Sequence, residues 1–392
     1  MAKRTLDAFF KPSTTPPKRP KTEPTESTIS TPETNNISIE ETKPPSHHSS
    51  YPIPIAQLPS HVEVGLEHAT PATSPREINN QPHLDLLHFQ PYIPRPTANE
   101  LFKFLRRELP FYRVQYTARR GDVETQINTP RWTTVFGVDE TSTFIQQDNG
   151  PNSLVLLETK TKTPIPKTKY QCSPRPIPAC LDVLRKQVEA ANAAAGTQNP
   201  GYNFCLVNYY ASGEDSIAFH SDDERFLGPD PNIASLSLGG ERDFLMKHKP
   251  FVPGGNVNGT ADGCMSGAAH SMSGPGGTGV TRSGTLSGGT LNTVSPGSRP
   301  VAVPLQQIKI SLGSGDMIIM RGATQSNWLH SIPKRKGQTT RGRINITFRR
   351  AVIPGGTNNY YHYNVGTGGM YRWDEVAREM VLRDGKVKNA TG

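Results

Sequence analysis

Cysteine is scarce. The four that occur, Cys172, Cys180, Cys205 and Cys264, form neither a CxxC pair nor a zinc-type spacing. That argues against a disulfide-stapled secreted scaffold and leads us to expect free thiols in a reducing intracellular compartment. No apolar run reaches the roughly 18–20 residues that a membrane helix needs, and the charged N-terminus does not read as a secretory signal. Apolar residues are few, at 34%, while 36 prolines and 35 glycines exceed ordinary usage. Part of the chain is therefore expected to lack a core, and the rest must supply one. Acidic residues are in the minority, 34 against 43 lysines and arginines, for a formal charge of +9. A basic balance suits a polyanionic partner such as nucleic acid, but an ordinary soluble protein can carry it too.

Residues 11 to about 80 are rich in Pro, Ser, Thr and Glu and have no apolar periodicity. The sequence predicts a disordered tail over 1–83. Two pieces of it stand out. In Lys3-Arg4-Thr5-Leu6-Asp7-Ala8-Phe9-Phe10, Leu6, Phe9 and Phe10 would share one side of a helical turn. The piece resembles a peptide that docks replication factors on the DNA sliding clamp, with Lys3 where such peptides carry Gln. Pro17-Lys18-Arg19-Pro20-Lys21 has the composition of a nuclear import signal, or of ordinary solvated charge.

A folded domain is expected over 84–352. Helices are predicted at Ala98–Glu108, with Leu101, Phe104 and Leu105 on one face, and at Ile177–Ala195, with Leu181, Leu184 and Val188 on one face. From Asn203 the pattern changes to short strands: Phe204–Tyr210, Ile233–Leu238, Arg242–Lys247, Met317–Met320 and Arg343–Arg349. Many short strands between Gly and Pro turns predict a mainly β sandwich or barrel. Residues 251–303, dominated by Gly, Ser, Thr and Asn, read as a flexible insertion between two strands. Residues 353–392 form a C-terminal extension with several aromatics and a predicted helical stretch near Asp374–Arg383.

Three features carry chemistry. In Phe219-His220-Ser221-Asp222-Asp223-Glu224, an extended chain would point His220 and Asp222 to the same side. An imidazole and a carboxylate are two of the three ligands of the facial triad that holds non-haem Fe(II). A surface polar pair would look the same. His330, in Asn327-Trp328-Leu329-His330-Ser331-Ile332-Pro333, supplies a third ligand only if a barrel returns it to His220. In Arg343–Arg349 the alternation is strict. Ile344, Ile346 and Phe348 take one face, and Arg343, Asn345, Thr347 and Arg349 the other. That polar face is either solvated or the lining of a barrel; in the second case its guanidiniums need anions, and a dicarboxylate supplies them. Asn208 and Tyr210, also i and i+2, could donate to the same ligand.

In this order, the motifs resemble the AlkB family of Fe(II)/2-oxoglutarate-dependent dioxygenases, nearest its eukaryotic nucleic-acid demethylase branch. The resemblance covers roughly 85–250 and 305–350. It rests on Asn208-Tyr209-Tyr210, His220–Glu224, Ile233–Gly239, Arg242-Asp243-Phe244, His330–Pro333 and Arg343–Arg349. It implies a double-stranded β-helix, a jelly-roll variant with flanking helices. It implies His220, Asp222 and His330 as ligands of Fe(II). It also implies Asn208, Tyr210, Arg343 and Arg349, supported by Asn345 and Thr347, as the cradle of 2-oxoglutarate, with O2 as the other cosubstrate.

The reaction it implies is oxidative removal of an N-methyl group of the 1-methyladenine or 3-methylcytosine type from DNA, releasing formaldehyde and succinate. An RNA demethylase on the same scaffold is the alternative, and a non-catalytic nucleic-acid-binding scaffold is a further one. Glu224, or Asp223, would favour the cationic base. Pro130–Gly137 resembles the family's substrate lid, which offers Phe136 as a stacking or wedging ring; Tyr170 is a second stacking candidate, and Arg242 is expected near Asp222. The clamp-like peptide, the basic charge and the import-like cluster together point to the nucleus.

Overall fold

The computed structural model describes residues 43–67, 74–120, 123–146, 154–196, 200–250, 306–336, 341–366 and 368–383. The clamp-like peptide with Leu6, Phe9 and Phe10, the basic cluster at 17–21 and the insertion at 251–303 lie outside the described residues. In chain order the helices are α1 (Ser60–Glu67), α2 (Arg95–Glu108), α3 (Ala179–Ala194), the single turn α4 (Thr324–Asn327) and α5 (Pro354–Asn364). The strands are β1 (Arg76–Ile78), β2 (Leu86–Phe89), β3 (Gln115–Arg120), β4 (Val123–Asn128), β5 (Trp132–Gly137), β6 (Ser142–Gln146), β7 (Leu154–Glu158), β8 (Phe204–Tyr210) and β9 (Ile217–His220). They continue with β10 (Ile233–Gly239), β11 (Arg242–His248), β12 (Ile308–Leu312), β13 (Met317–Met320), β14 (Trp328–Ile332), β15 (Arg343–Arg349), β16 (Met370–Asp374) and β17 (Glu379–Arg383).

Two antiparallel sheets face one another. The larger runs β1-β2-β13-β10-β15-β8-β5 and the smaller β12-β11-β14-β9. Together they form a jelly roll. Strand parity assigns the two faces of the large sheet. Val207, Tyr209, Leu236, Leu238, Ile344, Ile346 and Phe348 point outward into a core shared with the helices. That core takes Leu101, Phe102 and Leu105 of α2 and Leu181, Leu184 and Val188 of α3, the apolar stripe of each helix. Burying each such side chain contributes roughly 1.5–3 kcal/mol, so this layer pins the sheet in place. The inward faces of the two sheets meet in a second core that includes Phe204, Leu206, Tyr210, Phe244, Met246, Leu312, Ile318 and Ile332.

The chain changes sheets between β10 and β11. Gly239 has φ +86°, and a Cβ there would stand 2.4 Å from the Gly342 carbonyl oxygen. Only glycine suits both demands. On either side of the insertion, β11 and β12 pair directly, from Arg242 opposite Leu312 to Met246 opposite Ile308, so the sheet closes across it.

Three expectations are corrected. Residues 43–67 and 74–83 are built into the domain instead of belonging to a tail. Ile55, Leu58, Val62 and Leu66 bury in the helix-side core, Ser46 and Ile55 exchange backbone hydrogen bonds, and β1 pairs with β2. The stretch predicted as a helix near 374–383 is the β16–β17 hairpin. Asp374 accepts the Val376 and Ala377 amides and Arg378 has φ +54°, a tight turn a helix cannot accommodate. The hairpin packs on the domain: Tyr371 lies edge-on to Trp132 at 4.6 Å, and the Arg106 guanidinium lies 3.7 Å over the Trp373 ring. Finally, the segment resembling a lid is β5, the edge strand of the large sheet, with all six residues buried.

Candidate active site

Where β9 ends, β14 runs beside it, and His220 stands directly opposite His330. Their rings are 4.2 Å apart. β9 stops at His220, so Asp222 reaches the same space from the following loop and not, as the spacing predicted, from the strand. Its two carboxylate oxygens lie 4.0 Å from His220 Nε2 and 3.9 Å from His330 Nε2. One ligand atom from each of the three residues falls within 4.8 Å of the others. This is an arrangement that a divalent cation fits. The insertion separates His330 from the other two in sequence, but the β11–β14 pairing returns it.

Their surroundings prepare these groups for a cation. His220 Nδ1 lies 2.9 Å from the Ala218 carbonyl oxygen. An N–H donated there leaves the Nε2 lone pair facing Asp222. The Asp222 amide donates to Gln325 Oε1 at 2.9 Å, and the Phe244 ring stacks on His330 at 5.4 Å. Burial pushes both imidazoles toward the neutral form, His330 down to about 3 with help from His220. Burial alone would raise the Asp222 carboxyl, but the Arg349 guanidinium, with His330 and His220, outweighs it and holds the group well below the usual carboxylate range. Near neutral pH the cluster therefore offers two neutral imidazoles and a carboxylate, the protonation states a metal requires.

Beside it lies the inward face of β15. Arg343, Asn345, Thr347 and Arg349 stand opposite Tyr210, Asn208, Leu206 and Phe204 of β8, and all four are buried. Arg349 donates to Asp222 Oδ2 at 2.9 Å and Arg343 to Ser237 Oγ at 2.8 Å. Nε and Nη1 of both arginines are buried without a hydrogen-bond partner among the described residues. Two unpaired guanidinium edges in a closed space are a costly arrangement, and the carboxylates of a dianion would satisfy them. Asn345 is held by Ser235 Oγ and the Leu236 carbonyl, and Thr347 donates to it at 3.4 Å. Asn208 accepts Arg131 Nε at 2.9 Å, which turns its carbonyl to Arg131 and leaves its amide N–H groups to donate.

The expected substrate contacts divide. Glu224 turns inward, where its Oε1 accepts the Tyr360 hydroxyl at 3.0 Å. Asp223 is corrected: it is exposed and ion-paired to Lys249 at 2.6 Å. Phe136 is also corrected. It pairs with Cys205 on the helix-facing side and packs edge-on to Tyr51 at 6.0 Å, so it cannot reach a base. Tyr170 is buried, its hydroxyl donating to Asp139 and accepting from the Ser142 hydroxyl, which makes it a packing ring. Arg242 does not touch Asp222 but donates to the carbonyls of Ser212, Asp215 and Pro333, stitching the β8–β9 loop to the segment after β14 against the Tyr210 ring.

Four residues at the site were not foreseen: Arg131, Gln325, Phe244 and Tyr360. Phe244 and Arg131 sat in quoted motifs, and strand parity could have found Phe244. Tyr360 was visible only as one aromatic among several. It lies on α5, its ring 5.4 Å from the Arg349 guanidinium.

Residues 85–349 match the family model described as the 2OG-Fe(II) oxygenase superfamily. Among curated proteins, the chain is 37% identical over 149 residues to the DNA oxidative demethylase ALKBH2 of Arabidopsis thaliana, covering 38% of this chain and 37% of that protein. It is 31% identical over 181 residues to the Homo sapiens protein of the same name, covering 46% and 49%. It is 30% identical over 190 residues to the alpha-ketoglutarate-dependent dioxygenase alkB homolog 3 of Rattus norvegicus, covering 47% and 46%. The match thus spans less than half the length of each of these relatives.

Proposed function

Because this chain belongs to the 2OG-Fe(II) oxygenase superfamily, we propose that it is an oxidative demethylase of N-alkylated bases in DNA. The observation that carries the reading is the juxtaposition of the His220–Asp222–His330 cluster with the unpartnered guanidinium edges of Arg343 and Arg349. The first fits Fe(II) and the second a dicarboxylate, and the family uses both, with O2. The curated relatives named DNA oxidative demethylase point the same way.

In this reading His220, Asp222 and His330 hold the iron. Arg343 and Arg349 hold the two carboxylate ends of 2-oxoglutarate, with Asn208 and Tyr210 donating and Asn345 and Thr347 fixing the strand face between them. When bound, iron, 2-oxoglutarate and O2 supply the oxidising power that places a hydroxyl on the N-methyl carbon and leaves succinate and carbon dioxide. The C–N bond of the hydroxymethyl product then breaks: its hydroxyl proton passes to solvent, formaldehyde departs and the C–N electron pair returns to the ring nitrogen. The chain's residues orient, desolvate and select. His220, fixed through Nδ1, and His330, kept neutral by burial, stay available to the metal at neutral pH. Glu224 faces the base and favours one that is methylated on a pairing nitrogen and therefore cationic. Such a base pairs poorly, so drawing it out of the duplex costs less than for a normal base.

The clamp-binding peptide at Leu6, Phe9 and Phe10 and a nuclear location rest on residues 1–21 of the sequence, and we propose them with the same reading. The test has two parts. Anaerobic titration with Fe(II) and 2-oxoglutarate should give a metal-to-ligand charge-transfer band. Mass spectrometry of DNA and RNA oligonucleotides carrying 1-methyladenine or 3-methylcytosine should then show methyl loss in DNA. Loss confined to RNA would replace the substrate, and no band would sink the enzyme reading.

A further inference from the structure

We propose that Gln325 is a positioning residue for the metal: it holds the loop that carries Asp222 and ties that ligand to the strand that carries His330. The inference rests on the reading above, in that His220, Asp222 and His330 are taken to hold the metal.

The three ligands are not held alike. His220 and His330 stand opposite one another in the β9–β14 ladder, so main-chain pairing fixes both. Asp222 has no such support, because β9 ends at His220. Its carboxylate is tied through Oδ2 to Arg349 at 2.9 Å, and that guanidinium is also assigned a cosubstrate carboxylate. A side chain held only at its tip follows the charge that holds it, and a charge-assisted bond is strong enough to draw it away from the imidazoles. For the carboxylate to keep facing both histidines, the main chain beneath it must be fixed as well.

Gln325 supplies that hold. The Asp222 amide donates to its Oε1 at 2.9 Å, and both residues are buried, so water does not compete for the bond. The other end of the same side-chain amide, Nε2, donates to Met320 Sδ at 3.1 Å. Turned the other way, the amide would set N–H against N–H at Asp222, so the two contacts favour one orientation. Gln325 lies in α4, which runs directly into β14, five residues before His330. One hydrogen bond therefore couples the loop of the second ligand to the segment that delivers the third. The single turn is itself anchored, since the Asp85 amide donates to the Thr324 hydroxyl at 2.9 Å. A second tie runs beside the first: Lys249 Nζ donates to the Gln325 carbonyl at 3.0 Å and to the Asp223 carboxylate at 2.6 Å. Residues 222 and 223 are thus clasped to α4 through a side chain and through the main chain.

The test uses the full chain and Mn(II) alone. Affinity is read from the electron paramagnetic resonance of free Mn(II), and the number of coordinated imidazole nitrogens from its pulsed form, at a temperature where every variant is folded by circular dichroism. Wild type should bind Mn(II) through two imidazoles. Gln325→Leu keeps the volume and removes the acceptor. It should weaken Mn(II) binding about 10–100-fold, the usual effect of losing a group that orients a ligand, yet retain both imidazole nitrogens, because the ladder still holds His220 and His330. Gln325→Glu restores an acceptor of the same length, its carboxyl kept neutral by burial, and should bind Mn(II) as wild type does. Where the leucine variant does not fold, Gln325→Ala takes its place with the same readings. Wild-type affinity in the leucine variant, loss of an imidazole there, or a glutamate variant as weak as the leucine one overturns this inference alone. A wild type that binds no Mn(II) overturns both it and the functional reading.

Discussion

Replacing Arg349 with methionine isolates the central ion pair. The guanidinium and the Asp222 carboxylate are 2.9 Å apart, with 3% of each side chain exposed. Methionine fills much of the volume but leaves a buried carboxylate without its cation, which costs about 3–5 kcal/mol. For a domain of this size that lowers the thermal midpoint by roughly 10 °C. The double variant Arg349→Met, Asp222→Asn removes both charges and should recover most of the loss. The pH dependence has a definite sign. In wild type Asp222 titrates below its unfolded value of about 3.9, so its stabilisation is present above that pH and is lost as pH falls through the folded value. Without Arg349, burial raises the folded pKa instead. The deficit of the single variant relative to the double should then be largest at pH 7 and should shrink toward pH 4. Urea denaturation of metal-free protein at several pH values measures this. A single variant within about 1 kcal/mol of wild type, or a double variant no better than the single, would refute the reasoning that pair geometry governs stability here.

Further expectations concern the metal, the cosubstrate and α5. In metal-free protein, unfolded His330 takes a proton near pH 6.5 while folded His330 resists until about 3. Stability should therefore fall as pH drops through that window, and His330→Asn should flatten the slope in urea titrations. Arg343→Gln should raise the KM for 2-oxoglutarate about 10–100-fold, the worth of one charge-assisted contact, and leave metal affinity near wild type; an unchanged KM would remove Arg343 from the cradle. At Gly356 of α5 a Cβ would stand 2.0 Å from the Phe226 ring. Gly356→Ala should cost about 1–3 kcal/mol through this overpacking and should shift Glu224, readable as lost preference for cationic bases.

The motif order was legible because each motif is local. Arg343–Arg349 is the strand the alternation predicted, with the same bounds. α2 and α3 differ from their predicted ranges by at most three residues. Phe136 was misplaced although its parity was readable. Trp132 and Phe136 face the helices, and Val135 between them faces the barrel. Resemblance to a lid overrode that alternation. Residues 43–67 were misread for a different reason. Ile55, Leu58, Val62 and Leu66 are too sparse among prolines to show a period, and what buries them is the helix-side core, with α1 packed on α2, a tertiary partner no local pattern reveals. Tyr360 was missed for the same reason: its partners, Glu224 and Arg349, are set by the docking of α5.

The direct pairing of β11 with β12 has a practical consequence. His220, Asp222 and Glu224 precede the joint, and His330, Arg343 and Arg349 follow it. A chain cut between these strands would yield two fragments, neither with a complete ligand set. They would share a five-residue-pair ladder and much of the interior core. Such halves are candidates for complementation: expressed apart, they would bind iron only when they find each other, so metal-dependent signal would report their encounter. Conversely, foreign sequence spliced at this joint should cost only a slowly growing closure entropy, which makes the joint a natural place to graft a reporter or a second domain.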